Sequence, residues 1–367
     1  MPGLRVAVDV TPLLGVQGGV AQCVRHLLDV LPTTAPGVEP VPFALSRRAR
    51  SRLADLPEGT RALSLPAGVA LRAWARSSHP SPRALLEGVD VVHGTNYVVP
   101  PVDRPTTVTV HDTWCLRHPA ECAPAVRPFD GVLRRAASRG TWLHVSTEAS
   151  ASEVRDRYHT DRVTVVPFGV PDVAADGLLP SAVRAPFILA ISTDEPRKRH
   201  AHLVAAFAEV AAAVQDVQLV LAGADASATP AVEAAIEALP PSARHRVLRL
   251  GVVDDATRAG LLRGAAVLAY PSADEGFGFP ALEAMSVGVP VVTTRAGGLP
   301  ETVGDAGVLV DVVDDVAPLA SALVETLTDT EVRASLIERG HERAAALSWQ
   351  AHAKGMAELW ARAVEAT

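Results

Sequence analysis

The chain of 367 residues is 48% hydrophobic and 20% charged, with a formal net charge of −7 and three cysteines. That length suffices for two domains with sizeable cores, no apolar run approaches the length that spans a bilayer, and no signal peptide is expected ahead of the first strand. The acidic balance argues against nucleic acid as a partner, and the odd set Cys23, Cys115 and Cys122, without metal-ligand spacing, reads as buried structural thiols in a reducing, cytoplasmic compartment.

Residues 4–10 are apolar and predict a strand. A loop with glycines at 15, 18 and 19 follows, then a helix over 20–31 with Val20, Val24, Leu27, Leu28 and Leu31 on one side. A strand, the pair Gly18-Gly19 and a helix start can cradle an anion, although glycines also serve plain turns. Further strands are predicted over 38–45, 89–95, 106–112, 141–146 and 163–167, with helical stretches between most of them, as in a parallel sheet with crossovers. From 46 to 83 there are eight arginines against Asp55 and Glu58. This segment is either a solvated helix face or a contact with an anionic surface. Two strand ends carry polar residues, HGTNY at 93–97 and His111-Asp112-Thr113; a lone histidine there more often has a structural hydrogen bond than a chemical role.

Residues 168–186 are rich in Gly, Pro and Asp without periodicity and read as a connection between domains. The second half predicts strands over 187–192, 217–224, 247–251, 265–270, 289–294 and 308–311. Helices are predicted over 201–214, 231–239, 255–263, 280–287, 317–327, 331–347 and 349–364. Asp254-Asp255 and Asp314-Asp315 look like helix starts, and no acidic metal-binding pair stands out.

Chemistry concentrates at two places in this half. DEPRKRH, at 194–200, puts Arg197, Lys198 and Arg199 just beyond a strand, where guanidinium and ammonium groups suit phosphate oxygens. YPSADEGFGFPALEAMSVGVPVVTTRAGGLPE, at 270–301, places Glu275 on a loop at the carboxyl end of a strand and Glu283 in the helix after it. Gly276 and Gly278 permit close backbone approach, and a helix start offers N–H groups to an anion. A carboxylate for hydroxyls beside donors for phosphate describes a nucleotide-sugar site; two glutamates alone would equally be solvated helix-start acids.

EGFGFPALEA, with seven residues between its glutamates, closely resembles the signature of retaining glycosyltransferases of family 4. STDEPRKR resembles that family's EPRKN string, and TVHDTWCLRHP and the early glycine loop are similar to members as well. The resemblance covers essentially the whole chain and is strongest over 192–301. It implies the GT-B fold, two Rossmann-like, doubly wound α/β domains facing each other across a cleft. These are expected at 1–170 on the acceptor side and 171–348 on the donor side, with the last helix, 349–367, packing back on the first.

The implied activity is metal-independent transfer, with retention, of a hexosyl group from a nucleotide sugar, GDP-mannose ahead of a UDP-sugar. The acceptor would be a hydroxyl of a glycan, a lipid-linked glycan or a small molecule, and no cofactor is implied. Glu275 would bind donor-sugar hydroxyls, Glu283 the ribose, and Lys198 with Arg197 the diphosphate. Gly278, Phe279 and Pro280 would form the loop beneath the donor, Gly18 and Gly19 would meet its phosphates, His111 would sit by the reacting sugar, and Asp112 would join them. If the acceptor is lipid-linked, the arginines over 46–83 would rest on an anionic membrane face. Ser192 and Arg199 depart from the family string, which has arginine and asparagine there, so cationic work should move to Arg197 or Arg199. The alternatives are a non-catalytic sugar-nucleotide-binding subunit and a GT-B epimerase or sugar phosphorylase.

Overall fold

The computed structural model describes residues 3–15 and 18–366; residues 16 and 17 of the predicted glycine loop lie outside them. The chain divides into two compact units, residues 1–169 with 347–367, and residues 170–346.

Unit 1 holds a sheet of β1 (Leu4–Asp9), β2 (Val38–Leu45), β3 (Arg61–Leu63), β4 (Val91–Gly94), β5 (Thr106–Thr109), β6 (Trp142–Val145) and β7 (Val163–Val165). Every neighbouring pair is parallel, in the order β3-β2-β1-β4-β5-β6-β7. The connections reverse direction between β1 and β4, which makes that gap the topological switch point. Its helices are α1 (Gly19–Thr34), α2 (Ala67–Trp74), α3 (Trp114–Arg117), α4 (Phe129–Ser138) and α5 (Glu148–Tyr158). Thr147 caps α5 by accepting from the Ser150 N–H at 3.3 Å.

Unit 2 repeats the plan with β8 (Phe187–Ile191), β9 (Gln218–Ala222), β10 (Val247–Gly251), β11 (Val267–Tyr270), β12 (Val291–Thr294) and β13 (Val308–Val310), all parallel in the order β10-β9-β8-β11-β12-β13. Its switch point lies between β8 and β11. Helices α6 (His200–Ala213), α7 (Thr229–Ala238), α8 (Pro241–Arg244), α9 (Asp255–Gly264), α10 (Phe279–Ser286), α11 (Leu299–Val303), α12 (Ala317–Thr328) and α13 (Thr330–Ala346) complete it. β8 is buried at every position, so its sequence FILAI shows no alternation, as for a strand covered on both faces. Asp254 starts α9 by accepting from the Thr257 N–H at 2.8 Å.

The last helix, α14 (Trp349–Glu365), belongs to unit 1. Ala353, Met356, Leu359, Trp360 and Ala363 are buried along one face and pack on Val6 and Val8 of β1, Val91 of β4 and Leu27 and Leu31 of α1. His352 sits on the same face, its Nδ1 donating to Pro167 O at 2.9 Å. His93 and His144 are also buried, 2.9 and 2.8 Å from the hydroxyls of Thr107 and Thr109.

Three expectations need correction. The 46–83 segment is not one solvated helix face. It contains β3 and α2, with Trp74 buried, and the Arg61 guanidinium donates to Leu85 O and Glu87 O. β3 is three residues long, too short to show a period of two, and its first residue is an arginine. Arg47, Arg48, Arg50, Arg72, Arg76 and Arg83 stay exposed. The predicted strand over 106–112 ends at Thr109, leaving His111 and Asp112 in the loop beyond it. Of the cysteines only Cys23 is buried; Cys115 and Cys122 are half-buried thiols.

Candidate active site

At the unit 2 switch point, β8 ends at Ile191 and the chain enters a 3-10 turn over Pro196–Lys198, while β11 ends at Tyr270 and leads to Glu275. The two loops meet. Lys198 Nζ pairs with Glu275 Oε1 and lies 2.9 Å from the Tyr270 hydroxyl, which donates to the same Oε1 at 2.8 Å. Arg197 Nη1 stands 3.1 Å from Glu275 Oε2 and donates to Asp274 O at 3.1 Å, and its Nε reaches Glu195 at 2.9 Å. Glu275 and Lys198 are each 7% exposed.

Burial alone would push the Glu275 carboxyl up, but Lys198 and Arg197 outweigh it and hold its pKa at about 2. Burial draws the Lys198 ammonium below its ordinary value, with Glu275 opposing. Two glycines fix the Glu275 and α10 loops. A Cβ at Gly297 would lie 2.3 Å from Glu275 O, and the Gly298 N–H donates to that oxygen at 2.7 Å. Gly278 caps α10 at φ +90, a left-handed conformation, and a Cβ there would lie 2.6 Å from Leu299 Cδ2.

Glu283, in the second turn of α10, is 1% exposed and paired with Arg258 of α9. Burial raises its pKa and Arg258 opposes the rise. Phe279 and Pro280 form the first turn of α10, where proline's missing N–H interrupts no helical bond.

A second polar chain runs behind the Lys198 turn. Ser192 Oγ is 2.9 Å from His200 Nε2, His200 Nδ1 is 2.6 Å from Asp194 Oδ1, and Arg249 reaches Asp194 Oδ2 at 2.9 Å. Ser192, read as a departure from the family string, is thus tied to a buried histidine. Of the two arginines expected to compensate for it, Arg197 joins Glu275. Arg199 turns away to Val313 O.

Gly18, Gly19, His111 and Asp112 lie in unit 1. Gly18 precedes α1 at φ −101, and a Cβ added to it would meet nothing within 4 Å, so the fold itself does not demand glycine there. His111 donates Nε2–H to Thr95 O at 2.9 Å and stacks on Phe168 at 5.6 Å; burial lowers its pKa. The Asp112 carboxylate accepts from the Trp114 N–H at 3.0 Å, ahead of α3. Tyr270, Arg258, Asp194 and His200 were not singled out from sequence. Tyr270 had one signal, its place at the end of an apolar strand; Arg258 had none.

Residues 185–329 match the family described as Glycosyl transferases group 1. A phosphatidyl-myo-inositol mannosyltransferase of Mycolicibacterium smegmatis is 37% identical over 159 residues, 42% of this chain and 39% of that protein, so the match spans about two fifths of the relative's length. Among solved structures, a sucrose-phosphate synthase from Thermosynechococcus elongatus superposes with a TM-score of 0.74 at 21% identity, covering 99% of this chain and all of the other. Anabaena HepE, solved with UDP and glucose, superposes at 0.70 and 17% identity over 98% of this chain and 100% of that one. The two parallel sheets with their flanking helices are the GT-B fold of glycosyltransferases. Residues 185–329 are a group 1 glycosyltransferase domain, and the resemblance to family 4 glycosyltransferases is supported.

Proposed function

We propose that the protein is a retaining glycosyltransferase that moves a hexosyl group, mannosyl before others, from a nucleotide sugar to an acceptor hydroxyl without a divalent metal. The observation that carries this reading is the buried cluster of Lys198, Arg197, Tyr270 and Glu275 at the unit 2 switch point, where open α/β sheets take their ligands. Lys198 and Arg197 bind the diphosphate and stabilise the charge that grows on it as the sugar–oxygen bond breaks, a role in which they stand in for a metal. A diphosphate competes with Glu275 for these cations, and the carboxylate it releases then accepts from donor-sugar hydroxyls. Glu283 accepts from the ribose hydroxyls, and Gly278, Phe279 and Pro280 lie beneath the donor. The acceptor oxygen bonds to the anomeric carbon on the face the diphosphate leaves, and the acceptor's proton passes to a diphosphate oxygen.

The mannosyltransferase relative supports the sugar, and the UDP-bound neighbour supports a nucleotide donor with UDP as the second choice of base. The test is a thermal-shift screen of GDP, UDP, GDP-mannose and UDP-glucose. A ligand at 100 times its Kd stabilises the fold by about 2.7 kcal/mol. Release of nucleoside diphosphate with a hydroxyl acceptor, undiminished by EDTA and giving a product of unchanged anomeric configuration, is expected. No shift with any of the four, or activity lost to EDTA and restored by Mn²⁺, would overturn the reading.

A further inference from the structure

The unit 1 switch point carries a site of its own. β1 ends at Asp9 and β4 at Gly94, and the loops beyond them, joined by the Thr95 hydroxyl donating to Asp9 O at 2.7 Å, border a pocket of about 180 Å³. Asp9, Thr11 and Asn96 supply its polar lining. Leu65, Leu71, Trp74, Val98 and Phe129 are among its apolar walls. Trp74 already satisfies its indole N–H on Pro80 O at 2.8 Å, so its ring offers the pocket only apolar surface. A dry cavity of about 150 Å³ lined by aliphatic and aromatic side chains takes up benzene, so this volume suits one six-membered ring and little more.

We infer that this pocket binds a ring-sized apolar group of the acceptor, with a hydroxyl of the same molecule turned to Asp9 and Asn96. The inference rests on the reading that the substrate is an acceptor alcohol, and it names that substrate's class: an aromatic or alicyclic aglycone bearing a hydroxyl, in preference to a bare sugar. Among the described residues no Lys or Arg lines the pocket, in contrast to the cluster at the unit 2 switch point, so a phosphate does not suit it. Burial pushes the Asp9 carboxyl up to about 6, with the Thr11 bonds opposing, which favours a neutral hydroxyl as its partner over a cation held elsewhere in solvent.

The experiment is calorimetric titration of the whole chain with phenyl β-D-glucopyranoside and, as the ringless control, methyl β-D-glucopyranoside. Burying a phenyl group is expected to tighten binding about 10- to 100-fold. Ala67→Trp, at an exposed position lining the pocket mouth, should abolish that preference, and Asp9→Asn should weaken the phenyl glucoside several-fold. Both variants should keep the wild-type melting of unit 1 in calorimetry, which certifies that the substituted unit has folded, and should bind UDP or GDP as the wild type does. Equal or absent binding of the two glucosides, or an Ala67→Trp variant that keeps the preference, would overturn the inference. Loss of nucleotide binding in the wild type would instead sink the functional reading and leave a ring preference standing.

Discussion

The two switch points occupy the same place in the same topology and differ in chemistry. In unit 2 the loops after the central strands bring two cations, a tyrosine hydroxyl and a carboxylate into contact. In unit 1 the corresponding loops leave one buried carboxyl beside aliphatic and aromatic walls. Strand order fixes where a doubly wound sheet can hold a ligand, because only at the switch point do the two connections leave in opposite directions. The loop residues alone decide what it holds.

The largest effect should come from breaking the unit 2 cluster. Lys198→Ala leaves Glu275 charged and buried with one cation fewer, which costs roughly 3–5 kcal/mol of stability. Turnover should fall by about 10²–10³. Lys198→Met with Glu275→Leu should recover most of the stability in urea unfolding while activity stays lost. A single variant as stable as the wild type would mean that the pair contributes nothing to the fold.

Acid should separate the units. His93 and His352 are held near 3 and 4, well below the ordinary histidine value, first by burial and for His93 also by neighbouring His352. A depressed histidine contributes stability that is present above its unfolded value of about 6.5 and lost as pH falls toward the folded one. At pH 5 that loss is about 2 kcal/mol for each, and the raised Asp9 carboxyl of the same unit, which takes up a proton on folding in this range, returns only part of the sum. Glu275, depressed to about 2, keeps its contribution until the pH falls below its ordinary value of 4.5. Calorimetry between pH 7 and 5 should therefore show unit 1 melting progressively earlier and unit 2 little changed, and His352→Gln should flatten the trend. A fall in both units together would contradict this assignment.

Glu283→Gln is expected to weaken nucleoside diphosphate binding about tenfold, since a charged acceptor becomes a half-donor amide. It should not alter glucoside binding to unit 1. Unchanged nucleotide affinity would remove Glu283 from the site. The smallest effect concerns the exposed arginines: replacing Arg47, Arg48 and Arg50 with glutamine should lower any sedimentation with anionic vesicles at low salt, an attraction screened over about 8–10 Å at physiological ionic strength. Equal, negligible sedimentation with anionic and neutral vesicles would leave them as solvated residues beside β3.

Sequence reading reached the sheets because parallel strands covered on both faces are nearly continuous apolar runs, as in FILAI and VLAY. It missed β3 and α2 because neither is long enough for its period to show, and both lie among arginines. Glu275, Lys198 and Arg197 were legible through their string, yet the string did not show that they pair with one another. Side-chain pairings such as Glu283 with Arg258, or Ser192 with His200, join residues whose distance in sequence carries no pattern. The apolar pocket at Asp9 was invisible for the same reason, since its walls come from five separate stretches of chain.

The return of α14 to unit 1 has a consequence for synthesis. Unit 2 is a single uninterrupted stretch, residues 170–346, whereas the sheet of unit 1 needs Trp349–Glu365 to cover Val6, Val8 and Val91. On a ribosome adding about 5–20 residues per second, the amino-terminal sheet waits roughly 10–35 s with that face open while the intervening domain is made. Unit 2 should thus be the first to reach its native state, and it should be expressible alone. The nascent amino-terminal half, with an uncovered apolar sheet, is the part a chaperone would hold, and a premature stop after Ala346 would yield a folded unit 2 tethered to an aggregating unit 1.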